Sequence, residues 1–163
     1  MTTESGLLPT ADFLDDFSTR WLAAWNSHST DRVLALLHPE IVWDDHVFWP
    51  EVIHGIAGVE LYVEKIWEAM PDVAFDEIER FRSADGNRGI VLFRQYGHGP
   101  RTLNPGETFD SHGCDIFLEF RDGLLSHYLA AYDISDMLRQ LGALPDRGRL
   151  RGGAYLLSLR GRS

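Results

Sequence analysis

The run FDSHGCDIFLEFRDG, residues 109–123, holds a carboxylate in the middle of a strand-like pattern. Cys114, Ile116, Leu118 and Phe120 alternate along one side, and Asp115 falls on the other. On a solvated outer face Asp115 would be a plain surface charge. In a dry pocket its charged form would lose hydration and its pKa would rise. It would then serve as a base near neutral pH, or stay protonated and donate a hydrogen bond to a developing oxyanion. His98 ends another strand-like run, in which residues 90, 92, 94, 96 and 98 share a face. A neutral imidazole beside Asp115 would relay a proton or hold the acid in place; the alternative is a loop histidine at a strand end. Asp44 and His46 share one side of an extended segment and Asp45 takes the other. Asp44 and His46 would form a base and its partner at a pocket mouth, or a surface pair.

Other chemistries find less support. Asp44, Asp45, His46 and His54 invite a metal reading, but adjacent ligands splay apart and no helical His-x-x-x-His pair backs them, so no metal is expected. Ser111 and Ser126 have no His and Asp at a triad spacing. GHGP and GGAYLL lack the strand-loop-helix context of a phosphate loop. No nicotinamide or flavin motif is present, and acid-base chemistry needs no cofactor. Trp21, Trp25, Phe48, Trp49, Phe117, Tyr128 and Tyr132 are candidates to line a pocket. Each alone reads as core packing, and together they suit a flat aromatic or polycyclic ligand.

These residues need elements to position them. Leu14, Phe17, Trp21, Trp25 and His28 recur at three- and four-residue steps, which predicts a helix over 11–28 with Thr10 as its cap. Thr30 would cap a short second helix that His38-Pro39 stops. Residues 40–49 read as a strand or extended arm, and 57–70 as a third helix ended by Pro71. Runs 73–82, 88–98, 108–121 and 124–133 then read as strands, with tight turns at ADGN and RDG. Ser135 would cap a last short helix closed by Gly142, and residues 154–159 could add a strand. Three helices followed by antiparallel strands is an α+β order. The expectation is a strongly curved, mostly antiparallel sheet, cone-shaped, wrapped around an apolar pocket that the N-terminal helices close.

The 163 residues suit one domain, expected over 10–142 between a flexible start (1–9) and an Arg/Gly-rich tail (143–163). Net charge is −10. The tail holds five arginines and one acid, leaving 10 basic and 24 acidic groups before it. An acidic body repels phosphate backbones, which argues against nucleic acid. The start lacks a basic, apolar leader, and no run is long enough to span a membrane. Cys114 is the single cysteine, which suits a reducing cytoplasm. Fourteen arginines against the single Lys65 suggest a GC-rich bacterial genome.

The stretch AAWNSHSTDRVLALLHPEIVWDD, a helix, and then FRQYGHGPRTLNPGETFDSHGCDIFLEFRDGLLSHYLAAYDISDMLRQLG resemble the nuclear-transport-factor-2-like superfamily, in its SnoaL-like polyketide cyclase branch. Ketosteroid isomerase, limonene-epoxide hydrolase and scytalone dehydratase are related. Gly97-His98-Gly99 and Pro105-Gly106 resemble the cyclase motifs that precede the catalytic aspartate, whose place Asp115 takes. The resemblance puts the isomerase general base at Asp44, and it finds Arg20-Trp21 where the isomerase keeps a catalytic tyrosine. It implies a cofactor-free enzyme, a homodimer through the sheet, that moves protons on a small apolar carbonyl metabolite. Asp115, His98 and Asp44 would be catalytic, with His46 and the seven aromatics at the substrate. Cyclase, isomerase and lyase (dehydratase) outcomes stay open. So do an epoxide hydrolase, for which Arg94 is the nearest arginine, and a non-catalytic binding or assembly module.

Overall fold

A computed structural model of the chain describes residues 11–103 and 106–145. The expected Thr10 cap, the 154–159 strand and all but the first three residues of the tail lie outside the described residues.

Helix α1 (Ala11–Asn26) forms because Leu14, Phe17, Trp21 and Trp25 align on one stripe, and all four are buried. It stops short of His28, whose φ of 53° makes a left-handed end. His28 stacks on Trp67 at 4.9 Å and bonds to the Val73 carbonyl at 2.7 Å, so it locks α1 to the turn that follows the third helix. Helix α2 (Thr30–Leu34) is capped by Ser29, one residue before the expected Thr30. The Thr30 hydroxyl donates to Glu64 instead.

Strand β1 (Leu37–Asp44) starts three residues earlier than its pattern suggests and runs through Pro39. Its ladder to β6 slips between Leu37 and Val42, so Pro39 occupies a stretch where the missing N–H breaks no regular pairing. A two-residue strand, β2 (Ile53–His54), pairs with β1 and leads into α3 (Ile56–Ala69). Next come β3 (Ala74–Arg82), β4 (Gly89–His98), β5 (Thr108–Arg121), β6 (Leu124–Tyr132) and α4 (Ile134–Gln140). Asp133, rather than Ser135, caps α4 by accepting the Asp136 N–H at 2.9 Å. Asp122 and Gly123 both take positive φ, 53° and 75°, as the tight turn between β5 and β6 requires.

The six strands lie in the order β2-β1-β6-β5-β4-β3 and are antiparallel except for β1 beside β6. The sheet stays open, and its inner face packs on α1 and α3. Register decides which side chains enter. Val91, Asp115 and Ala130 are direct neighbours across β4, β5 and β6, and all three are buried. Asp115 therefore faces the core. The alternating Cys114, Ile116 and Leu118 form the half-exposed back of the sheet. Phe120 breaks that alternation. The β5–β6 register shifts on both sides of Glu119, which turns Phe120 inward against Phe17, ring centres 4.8 Å apart.

No helix among the described residues is long and apolar enough to cross a membrane.

Candidate active site

Between α1, α3 and the inner sheet face lies a chamber of about 40 Å³, counted as space open to the centre of a water molecule. That is room for about three waters. Its wall holds two carboxylates, Asp45 and Asp115; six aromatic rings, from Trp25, Tyr62, Phe75, Phe93, Tyr128 and Tyr132; and Gln95, Leu22, Ile66 and Met70.

Asp115 stands at the centre of β5. Its Oδ2 accepts from Trp21 Nε1 at 2.7 Å, and its Oδ1 accepts from the Tyr128 hydroxyl at 2.5 Å. Trp21 comes from α1 and Tyr128 from β6, so helix and sheet both grip this carboxyl. Burial drives the Asp115 pKa up from 3.8 to about 6, against the lowering pull of Tyr128 and Trp21 and with a further push from Asp45.

Asp45 follows β1 and is 1 % exposed. Its Oδ2 accepts from the hydroxyls of Tyr62 and, at 3.2 Å, Tyr132. Its Oδ1 accepts the Phe48 N–H at 3.2 Å, which closes the turn after β1. Burial raises its pKa, with these donors pulling the other way. Burial, with the nearby carboxylates adding to it, holds the phenols of Tyr62 and Tyr128 well above their ordinary 10, so they remain donors at any working pH.

Asp44, expected at the pocket, points outward instead. It is half-buried and meets His46 Nδ1 at 3.0 Å on the outer surface. Ile41 and Trp43, both fully buried, fix the inward parity of β1, and Asp45 inherits it. His46 leaves the pocket for the same reason. His98 also stands apart. It is half-exposed at the far end of β4, paired with Asp72 at 2.6 Å, while Asp115 lies opposite Val91 seven residues back along that strand. Of the expected lining, Trp25, Tyr128 and Tyr132 face the chamber and Trp21 reaches it through Asp115. Phe48 and Trp49 pack on Tyr62 from outside, and Phe117 lies behind Trp21. Trp21, Trp43 and Phe117 fill the interior expected to receive a polycyclic ligand, so the room left suits a small group. Arg94 is on the open back of the sheet with Asp110, at 2.7 Å, and Asp76, at 3.6 Å; among the described residues the chamber wall contains no Arg, Lys or His.

Sequence reasoning missed Asp45 and Tyr62. The parity of Ile41 and Trp43 would have found the first. Tyr62 lies on the same face of α3 as Val59 and Ile66, three residues before and four after, and that spacing is ordinary core.

Several solved structures share the fold. AclR of Streptomyces galilaeus, provisionally assigned as a hydroxylase, is 19% identical with a TM-score of 0.70, over 84% of this chain and 89% of that one. A provisionally assigned polyketide cyclase of Pseudomonas putida is 22% identical with a TM-score of 0.66, over 76% and 94%. A hypothetical protein of Catenulispora acidiphila with a ketosteroid isomerase-like fold, solved in complex with trimethylamine, is 18% identical with a TM-score of 0.68, over 80% and 94%. A search of curated protein sequences finds no significant match. The SnoaL-like domain model matches residues 18–128, from the middle of α1 to the tyrosine that grips Asp115, and the chain belongs to that family.

Proposed function

We propose that this chain is a cofactor-independent acid-base enzyme of the cyclase type, cytoplasmic, which removes a proton next to a carbonyl of a small metabolite. The observation that carries this is Asp115 itself: a buried carboxyl with a pKa of about 6, held by two hydrogen-bond donors on the wall of an aromatic chamber. Both oxygens of Asp115 accept hydrogen bonds, which favours its charged form and suits a base. A protonated oxyanion donor would need one oxygen turned to its own O–H. Asp45, bonded to Tyr62 and Tyr132, is the second acid: burial raises its pKa and favours the protonated form, which gives its own proton to the product while Asp115 holds the one it removed. Trp21 takes over the anchoring position that the related isomerase gives to tyrosine, but it anchors the base rather than the substrate. Whether ring closure, isomerisation or loss of water follows depends on the substrate.

The test is a panel of small ketones, β-dicarbonyls and amino ketones in deuterated water, with exchange of the α-protons followed by NMR. Saturable exchange above the buffer rate supports the reading; buffer-rate exchange across the panel counts against it. The pH profile should carry the base's signature. A carboxyl raised from 3.8 to about 6 is charged above that pH, so exchange should plateau above about pH 6 and fall about tenfold per pH unit below it. A profile flat from pH 4 to 8 would exclude Asp115 as the base. The epoxide-hydrolase alternative loses its arginine to the back of the sheet, and incorporation of oxygen-18 from water into product would be needed to revive it.

We also propose a homodimer through the back of the sheet. Leu129, Ile116 and Ile90 form one registered row across β6, β5 and β4, and it continues to Phe81, 49 % exposed, on β3. A second copy would cover this apolar band, with the Arg94, Asp76 and Asp110 pairs at its rim. Ile116→Glu should convert the dimer to a monomer by light scattering without changing the circular dichroism. A native chain that is monomeric at micromolar concentration would refute the dimer.

A further inference from the structure

The chamber wall carries two acids and, among the described residues, no cation. Each carboxyl accepts hydrogen bonds from side chains that stay protonated: Trp21 and Tyr128 on Asp115, Tyr62 and Tyr132 on Asp45. Burial disfavours the charged forms and these bonds favour them, and among the described residues the wall offers nothing positive to offset an acid that is charged. Proton abstraction from a neutral carbonyl compound would add an enolate to the same space. An enolate formed beside these acids calls for a positive group, and the described residues of the wall do not supply one.

Half of the wall offers the other element of cation recognition. Six of the twelve lining residues are aromatic, and the negative face of such rings attracts a cation most strongly when water is excluded. The free space is also of the right order. About 40 Å³ open to a water centre corresponds, if rounded, to a hollow of about 3.5 Å radius once a water radius of about 1.4 Å is added. That accepts a compact, branched head group and rejects a fused ring system.

From the wall chemistry and this volume, we infer that the chamber binds a small alkylammonium group, a tertiary or quaternary amine head, carried by the substrate. This rests on the chamber being the substrate site, as proposed above, and it names the substrate class: an amine-bearing carbonyl compound. The pairing is chemically coherent. An ammonium next to a carbonyl acidifies the α-proton, and once the proton moves to Asp115 the C–H electron pair becomes the enolate, which the ammonium offsets. Atoms and charge balance without a metal or a redox partner.

The experiment compares two probes of nearly the same shape on the unaltered chain: choline, and 3,3-dimethylbutan-1-ol, in which carbon replaces the charged nitrogen. Tryptophan fluorescence reads binding, since Trp25 lines the chamber and Trp21 is bonded to its acid. Choline should bind saturably and at least about tenfold more tightly than the alcohol. Asp45→Asn should shrink that preference, although Asp45 also closes a turn, so the comparison on the native chain decides. Equal or tighter binding of the alcohol overturns the cation assignment, as does no saturable binding of choline in the millimolar range. Either result leaves the acid-base reading to its own test, because α-proton exchange on neutral ketones does not depend on the probe. Exchange that survives removal of the Asp115 carboxylate would sink that reading, while the choline comparison is made on the native chain and is decided separately.

Discussion

Asp115→Asn should lower α-proton exchange by a factor of about 10² to 10⁴, the range a positioned base supplies, and leave the chain folded. Asn has the same shape, and the donors on either side, Trp21 Nε1 and the Tyr128 hydroxyl, stay in place. The amide oxygen satisfies one of them; the amide nitrogen faces the other as a second donor. That mismatch costs about 1–3 kcal/mol. An opposite contribution comes from removing a buried charge. A carboxyl that titrates at about 6 in the fold and 3.8 unfolded binds more protons folded than unfolded between those values. Stability therefore falls as pH rises through that window, by on the order of 3 kcal/mol, and the whole penalty is present above pH 6. Asn carries no such penalty. Near neutral pH the two effects offset, so lost activity with a nearly unchanged melting temperature is the expected combination.

The difference between native and variant stability, followed from pH 4 to 7, isolates this group. Asp72 and Asp110 are held below 3.8 by His98 and Arg94 respectively, and they shift stability in the opposite direction at lower pH, but they cancel in the difference. Native stability should decline relative to Asp115→Asn across pH 4–6. Undiminished exchange in the variant would remove Asp115 from the chemistry, and a flat difference would show that its carboxyl is not perturbed by burial. Asp45 interacts with Asp115, so the pair can release its protons in two steps that belong to both groups. For that reason exchange by Asp45→Asn belongs beside the first variant: loss of the second acid should slow turnover of product more than the initial proton removal.

Much of the fold was legible because its signals are local. The stripe Leu14, Phe17, Trp21, Trp25 and the four alternating runs after residue 72 each declare their element without knowledge of the rest. Asp115 was legible as the carboxylate opposite an apolar row, although that row is the back of the sheet and not its core. The reason is that both faces of β5 are apolar enough to be buried, one on α1 and the other half-covered, and period two cannot rank them. Asp45 and His98 failed for different reasons. For Asp45, the parity of a strand was read from its polar members when Trp43, the largest buried side chain in the segment, should have set it. For His98, sharing a β-ladder with Asp115 says nothing about distance along it, and seven steps along β4 separate His98 from Val91, the partner of Asp115. Tyr62 had no local signal at all, since its role arises only when α3 folds over the end of β1.

Phe17→Ala should cost about 3–5 kcal/mol of unfolding free energy, read as a lower denaturation midpoint in urea with an unchanged slope. Phe17 is fully buried, and its ring centre is 5.1 Å from Phe117, 4.8 Å from Phe120, 5.9 Å from Trp21 and 6.0 Å from Phe13. With Trp21, which meets Phe117 and Asp115, it seats α1 on β5, and the rings around it come from both elements, so they cannot collapse inward without moving one against the other. For a chain of this length the corresponding fall in melting temperature is on the order of 10 °C. The effect should also reach the chamber. Trp21 is one turn further along α1, stacked on Phe17, and its N–H holds Asp115 Oδ2. With Phe17 removed, α1 can settle and that bond loosens, which withdraws a donor from the carboxylate and should move the exchange profile to higher pH. Phe17→Leu, which fills more of the hollow, should give a smaller loss of stability and a smaller shift in the same direction. If the melting temperature fell and the pH profile did not move, α1 would be a lid over the core and not the element that tunes the base.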